Sequence, residues 1–117
     1  MILAAVDDLL FSSKIRNVAR RLACDVTFAR SMEAILAQTR ARRPALVIFD
    51  LNAGRMRPLE CIAAIRADPG LSGTRIVGFV SHVQGELVEA ARQAGADQVM
   101  ARSAFTTSLP DILSGSP

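Results

Sequence analysis

Residue types that mark several binding functions are scarce or absent in this chain of 117 residues. Trp and Tyr are absent and aromatic residues make up 4% of the sequence, so we do not expect an aromatic stacking platform for single-stranded nucleic acid. No apolar run approaches the roughly 18 residues that a membrane-spanning helix needs. The first run, residues 2–6, is followed at once by two aspartates, which does not fit a signal peptide. The composition therefore predicts a cytoplasmic protein that binds neither a membrane nor nucleic acid directly.

Cysteine and lysine are also scarce. Cys24 and Cys61 stand far apart, without the spacing of a metal site or a redox pair, which indicates two reduced, buried cysteines. Lys14 accompanies 13 arginines in a chain of net charge +3, and the arginines are spread along the sequence rather than clustered. Half of the residues are apolar, so we expect a single domain over residues 1–117 with an ordinary core.

Short apolar runs alternate with amphipathic segments along the chain, and this alternation predicts the fold. The predicted strands are residues 2–6, 26–29, 45–49, 76–80 and 97–101. Five helices follow them, of which the last, residues 109–113, is expected to be short and weak because of Pro110. Continuous apolar strands suit burial on both faces. We therefore expect an α/β fold of the flavodoxin-like type, a doubly wound five-stranded parallel sheet of order 2-1-3-4-5 with five helices.

Local signals predict the helix ends. Ser12 or Ser13 can cap the first helix and Ser31 the second. Pro58 suits the first turn of the third helix, and Gly95 suits the end of the fourth.

Acidic side chains follow the first and third predicted strands. Asp7 and Asp8 come after the first strand, and Asp50 comes directly after the third. Because ligands of such sheets bind at the carboxyl ends of the strands, we expect the three carboxylates to share one pocket. Their repulsion requires a neutralising cation, and Mg²⁺ is the hard cation that carboxylate, carbonyl and water oxygens bind. With this metal bound, Asp50 can act as a nucleophile toward a phosphoryl group.

A hydroxyl group and a guanidinium complete the predicted pocket. Ser81 follows the fourth strand and can donate a hydrogen bond to a phosphoryl oxygen, while Arg102 follows the fifth and can share the phosphoryl charge. Arg55 and Arg57 suggest a second interpretation, in which they and Arg102 neutralise the acidic pocket without a metal.

This constellation resembles the receiver domain of two-component response regulators over residues 2–113. The features that carry the resemblance are the Asp7-Asp8 pair, Asp50 after its apolar strand, Ser81, and Gly95-Ala96-Asp97 before the last strand. The resemblance implies a phosphoacceptor module, not an enzyme, that receives its phosphoryl group from a histidine kinase or phosphotransfer protein. It also implies a surface on the fourth helix, fifth strand and fifth helix that switches toward a downstream protein partner.

The resemblance further implies a role for each residue of the pocket. Asp50 would be the phosphoacceptor and Ser81 would contact the phosphoryl oxygen. Asp8 would bind Mg²⁺ directly, Asp7 would act on it through water, and Asn52 would offer its backbone carbonyl.

The sequence departs from the family at several of these places. Arg102 stands where the family has Lys, and its wide planar guanidinium is not equivalent to an ammonium group. His82 follows Ser81 where a small residue is usual and could crowd the pocket. Val99 stands where the family has its switch aromatic, and residues 53–58 lack the usual loop sequence.

These departures leave alternatives open. The first interpretation is the phosphoacceptor module, and the second is a degenerate receiver that binds a protein partner without phosphorylation. A third is a small phosphatase that uses Asp50-Leu51-Asn52 as its Asp-x-Asn motif, although such a nucleophile is expected on a first strand. Apolar residues on the late helices suit either a homodimer interface or the core.

Overall fold

The computed structural model describes residues 1–81 and 84–115. Its strands form one parallel sheet of order β2-β1-β3-β4-β5, which confirms the predicted topology. The strands are β1 (Ile2–Ala5), β2 (Val26–Phe28), β3 (Leu46–Asp50), β4 (Arg75–Val80) and β5 (Gln98–Ala101). Each strand begins and ends within one residue of the prediction.

Helices cover both faces of this sheet. They are α1 (Leu9–Arg21), α2 (Met32–Arg42), α3 (Pro58–Arg66), α4 (Gly85–Ala94) and α5 (Arg102–Leu113), with short 3-10 turns at Gly54–Met56 and Pro69–Leu71. α1 and α5 pack together on one face, whereas α2, α3 and α4 cover the other. No helix in residues 1–81 and 84–115 is long and apolar enough to cross a membrane.

Alternate strand residues point into two separate cores. On β1, Leu3 packs under α2 and α3, while its neighbour Ala4 packs under α1 and α5. The second core contains three phenyl rings, Phe11 of α1, Phe79 of β4 and Phe105 of α5, with ring centroids 4.7–5.8 Å apart. Because both faces are buried, the strands carry continuous apolar runs rather than alternating ones.

The predicted cap of the first helix is wrong. α1 begins at Leu9, and Asp8 caps it, because the Asp8 side chain accepts a hydrogen bond from the Phe11 N–H at 3.1 Å. An aspartate in extended conformation directly before an apolar helix satisfies an N–H group that has no partner inside the helix. Ser12 is instead buried within the first turns and donates to the Val6 carbonyl at 3.4 Å.

The predicted last helix is also wrong in length. α5 begins directly after β5, at Arg102, and Pro110 lies inside it. The proline removes one backbone donor from the helix. Phe105 and Leu109 are buried on the sheet side of α5 while Pro110 faces solvent, so the packing of this apolar face offsets the lost bond.

The other predicted helix ends are confirmed. The Ser31 hydroxyl accepts from the Ala34 N–H at 3.1 Å and caps α2, and Pro58 is the first residue of α3. Gly95 ends α4 with a φ of 122°, in the region that favours glycine.

The two cysteines are free, but only one lies in the core. Cys61 is fully buried, and this burial raises the pKa of its thiol to about 11. Cys24 is only half-buried, beside the end of α5, which corrects the expectation that both are buried.

Candidate functional site

Asp50 is the last residue of β3 and lies at the carboxyl edge of the sheet, with 7% of its surface exposed. Its Oδ1 accepts a hydrogen bond from the Asn52 N–H at 3.0 Å. Burial raises the pKa of the Asp50 carboxyl above its ordinary value, and the charges of Asp7 and Asp8 raise it further. The Asn52 N–H and the charge of Arg102 act in the opposite direction. The structure thus brings the three predicted carboxylates into one region.

Asp7 and Asp8 differ in the contacts that their carboxylates make. Asp7 is exposed in the loop between β1 and α1. Asp8 uses one carboxylate oxygen to cap α1 and the other, Oδ2, to accept from Arg102 Nη2 at 2.8 Å. The hydrogen bond from Arg102 is the main cause that lowers the pKa of Asp8. The negative charge of Asp8 is therefore already paired with the positive charge of Arg102.

Arg102 is held in this position by aromatic rings as well as by Asp8. Its guanidinium carbon lies 4.1 Å from the centroid of the Phe11 ring and 6.0 Å from that of Phe79. A guanidinium over an aromatic face is stabilised by the ring quadrupole, more strongly where water is excluded. The sequence placed Arg102 in the pocket as a group that shares the phosphoryl charge, whereas the structure pairs it directly with Asp8 and brings its charge near Asp50.

The Asn52 side chain connects the loop after Asp50 to the loop after β4. Its Oδ1 accepts from the Ser81 N–H at 2.7 Å, and its Nδ2 donates to Gln84 Oε1 at 2.6 Å. The Asn52 carbonyl accepts from the Gly54 N–H at 2.9 Å and keeps a second lone pair. Asn52 thus fixes the position of Ser81 relative to Asp50.

Ser81 and Arg102 line an open cleft of about 470 Å³ between α1 and α5. Lys14 and Thr106 lie along the same cleft, so it presents hydroxyl groups and two cations beside Asp8. This lining is suited to an anionic group.

The other predicted cations do not join the pocket. Arg57 Nε donates to Glu60 Oε1 at 2.9 Å, and Arg55 is exposed in the 3-10 turn before α3. Neutralisation without metal therefore depends on Arg102 alone among the three arginines. Val99 is buried on β5. His82, which could crowd the pocket, lies outside the described residues.

The donors in this region suit a hard divalent cation in chemistry, because all of them are oxygen atoms: the carboxylates of Asp7 and Asp50 and the carbonyl of Asn52. Asp8 is already paired with Arg102, so a metal at Asp8 would compete with that pair for the carboxylate. Within residues 1–81 and 84–115, no three His, Cys, Asp or Glu side chains are grouped closely enough to hold a metal ion by themselves. A site for Mg²⁺ here therefore relies on carbonyl and water oxygens besides carboxylates.

Five parallel strands in this order, with carboxylates at the ends of β1 and β3, define a flavodoxin-like domain with an acidic pocket. The family model of the response regulator receiver domain matches residues 2–113. The chain therefore belongs to the receiver domain family of two-component systems, whose members are signalling modules rather than typical enzymes. Asp50 ends the third strand, so the phosphatase interpretation finds no support. No curated protein matches the sequence.

Solved structures show the same fold. A response regulator from Hahella chejuensis has a TM-score of 0.87 at 23% identity, with 97% of this chain and 91% of that chain covered. The Mn²⁺-bound response regulator Rcp1 has a TM-score of 0.81 at 19% identity, covering 95% and 89%. A Burkholderia pseudomallei response regulator protein with a phosphorylated aspartic acid, a calcium ion and citrate has a TM-score of 0.82 at 21% identity, covering 96% and 65%.

The sequence analysis did not predict that Asp8 caps α1 and pairs with Arg102, nor that the Asn52 side chain bonds to Ser81 and Gln84. An aspartate directly before an apolar helical segment is a recognisable capping signal, so the role of Asp8 at α1 could have been found. The partnership of Asp8 with Arg102, 94 residues later, depends on the topology, and no local pattern indicates it.

Proposed function

We propose that this receiver domain accepts a phosphoryl group on Asp50 from a histidine kinase or phosphotransfer protein, with Mg²⁺ bound beside it. The observation that carries the proposal is the position of Asp50: a nearly buried carboxylate at the end of β3, held by the Asn52 N–H, with Asp7 and Asp8 acting on its charge. Receiver domains in general interact with such donors. Residence in the cytoplasm stays a prediction from the sequence.

In the proposed step, a carboxylate oxygen of Asp50 attacks the phosphorus atom of phosphohistidine. The new O–P bond gives an acyl phosphate, and the N–P bond breaks, which leaves its electron pair on the donor imidazole. The Asn52 N–H holds one oxygen of Asp50, and we assign the other oxygen as the nucleophile. Ser81 donates its hydroxyl hydrogen bond to a phosphoryl oxygen, and Arg102 shares the added charge.

Asp7, Asp50 and the Asn52 carbonyl would hold the metal, with Asp8 joining when Arg102 moves to the phosphoryl group. Bound Mg²⁺ supplies charge neutralisation for the carboxylates and the phosphoryl oxygens. The phosphorylated aspartic acid and calcium ion of the Burkholderia pseudomallei protein and the Mn²⁺ of Rcp1 support a divalent cation and a phosphoryl group in a domain of this fold.

The second candidate function is protein binding without phosphorylation, and the Asp8–Arg102 pair favours it. This pair already neutralises one carboxylate of the pocket, so the domain has less need of a metal. In that case the acidic pocket is structural, and a downstream partner recognises a single, constant surface.

Intact-mass measurement with acetyl phosphate and Mg²⁺ separates the two functions. We expect the mass of one phosphoryl group to be added to the wild-type chain and to Asp111→Asn, an exposed aspartate of α5, but not to Asp50→Asn. A chain that stays unmodified at every donor concentration contradicts phosphoacceptor function and leaves the second candidate.

A further inference from the structure

The charge of this chain is divided unevenly between two parts of the molecule. Residues 14–43, which form most of α1, β2 and α2, contain eight basic and two acidic residues, while the rest of the chain contains six basic and nine acidic residues. Seven of the 13 arginines therefore lie in the segment that contains the edge strand β2. Such an asymmetry steers partners of opposite charge toward that edge.

Two of these arginines are arranged around one aromatic ring. Phe28 is the last residue of β2, and the guanidinium carbons of Arg16 and Arg30 lie 4.8 and 5.6 Å from its ring centroid. Both arginines are exposed, and neither forms an ion pair with a carboxylate in the described part of the chain. Stacking on Phe28 orders the two groups before any partner arrives, which lowers the entropy lost on binding.

The neighbouring backbone is open as well. β2 is the edge strand of the sheet and pairs only with β1 in the described residues. Asp25 C=O accepts from Ile2 N–H at 2.9 Å, and Ala29 N–H donates to Ala4 C=O at 3.1 Å. Because backbone groups alternate in direction along a strand, Val26 and Phe28 direct theirs away from β1. We call this open side of β2, together with Arg16 and Arg30, the β2 edge.

We propose that the β2 edge binds an acidic protein segment in extended conformation, which adds a strand beside β2 and places its carboxylates on Arg16 and Arg30. Strand addition uses free backbone groups of this kind, and alternate side chains of the added strand fall on the face where Phe28 lies. Guanidinium groups match carboxylates in a bidentate geometry. β1 separates this surface from β3, which carries Asp50, and the proposed binding does not require phosphorylation.

An acidic peptide fits the β2 edge better than nucleic acid does. Nucleic-acid surfaces combine basic side chains with aromatic rings that are free to stack on bases. Here the ring of Phe28 is half-buried and already carries guanidinium groups. Charged residues also protect edge strands from aggregation, and the test must distinguish that role from binding.

The probe is a fluorescent octapeptide of alternating glutamate and threonine, titrated with the 117-residue chain and followed by anisotropy and by ¹H–¹⁵N spectra. We expect saturable binding that weakens with salt, with shifted amides at Val26, Phe28 and Arg30. The double variant Arg16→Gln/Arg30→Gln should bind about tenfold more weakly or worse, which corresponds to the loss of about 1.4 kcal/mol. Arg92→Gln/Arg75→Gln removes the same charge elsewhere and should bind almost normally.

Two further probes decide the mode and the class of partner. The same peptide with N-methyl groups on alternate residues should lose binding, because it cannot pair with the backbone of β2. Absence of saturable binding, equal losses in both double variants, or tighter binding of a single-stranded oligonucleotide at the same residues would each overturn the proposal.

Discussion

Arg102 and Asp8 join the first turns of α5 and α1 through an ion pair of 2.8 Å. Arg102 is the first residue of α5, and Asp8 is the residue that caps α1. One carboxylate thus stabilises a helix, holds a guanidinium and borders the candidate phosphorylation site. Metal binding and stability at the pocket therefore both depend on which partners the Asp8 carboxylate contacts.

Substitution of Asp8 separates its cap from its ion pair. Asp8→Ala should lower the free energy of unfolding by about 1 kcal/mol, because the Phe11 N–H loses its acceptor. Asp8→Asn keeps a capping oxygen and should lose less. Urea unfolding near neutral pH measures both values.

The pH dependence provides the control for Asp8. The pKa of Asp8 is lowered in the folded state, so the charged carboxylate stabilises the fold at any pH above the unfolded pKa of about 3.9. This stabilisation is lost as the pH falls through the lower folded-state pKa. The difference between wild type and Asp8→Asn should shrink in acid. A difference that stays constant with pH contradicts the ion pair.

Removal of Arg102 should strengthen Mg²⁺ binding. Arg102→Ala frees Asp8 Oδ2 and removes a nearby positive charge, and a partly exposed ion pair contributes roughly 0.2–1 kcal/mol. The Mg²⁺ dissociation constant should therefore fall by a factor of about 1.4 to 5, measured by titration of the Asp50 and Asn52 amide signals. Arg92→Ala, on exposed α4, is the control and should change it less. An unchanged or weaker affinity in Arg102→Ala would show that Asp8 takes no part in the metal site.

Asp50→Asn should stabilise the fold at neutral pH. The folded pKa of Asp50 is raised, so its charged form is unfavourable in the folded state above that pKa and makes no difference below the unfolded value of about 3.9. Asn removes this charge and can still accept from the Asn52 N–H. We expect a Tm increase of about 3 °C or more at pH 7 that disappears in acid. A lower Tm at pH 7 would contradict the burial of an unfavourable charge at this position.

Gly95→Ala should be strongly destabilising. With φ at 122°, a Cβ at this position would lie 2.1 Å from the Arg66 Cγ. Arg66 cannot easily move, since it donates to the Gly95 and Thr74 carbonyls at 2.7 and 2.8 Å and pairs with Asp97. The expected loss is about 1–3 kcal/mol in urea unfolding. Gly73→Ala, where a Cβ meets nothing within 4 Å, should change stability little.

The sequence predicts the strands well because their signal is local and strong. A continuous apolar run such as Leu46 to Phe49 indicates a strand that is buried on both faces, and the alternation with helices then leaves few possible topologies. The helix ends were less predictable where two signals compete. Asp8 and Ser12 are both capping residues, and only the position of the first helical turn decides between them. Pro110 predicted a late start of α5, but the buried face formed by Phe105 and Leu109 outweighs it.

The sequence predicts which residues form the candidate site, but not which of them pair with each other. The ends of β1 and β3 place Asp7, Asp8 and Asp50 together once the strand order is known. The ion pair of Asp8 with Arg102 requires the first turns of α1 and α5 to be adjacent and the ring of Phe11 to support the guanidinium. These contacts join distant parts of the chain, so neither spacing nor composition indicates them.

The most direct test of the account is the ¹H–¹⁵N spectrum of the chain with beryllofluoride and Mg²⁺, a stable mimic of the phosphoryl group. If Asp50 is the acceptor, beryllofluoride added to the chain with Mg²⁺ already present should shift the amides of Asp50, Asn52, Ser81 and Arg102, and the same addition should leave the spectrum of Asp50→Asn with Mg²⁺ unchanged. A wild-type spectrum that does not respond, or shifts that persist in Asp50→Asn, would contradict the role proposed for this carboxylate.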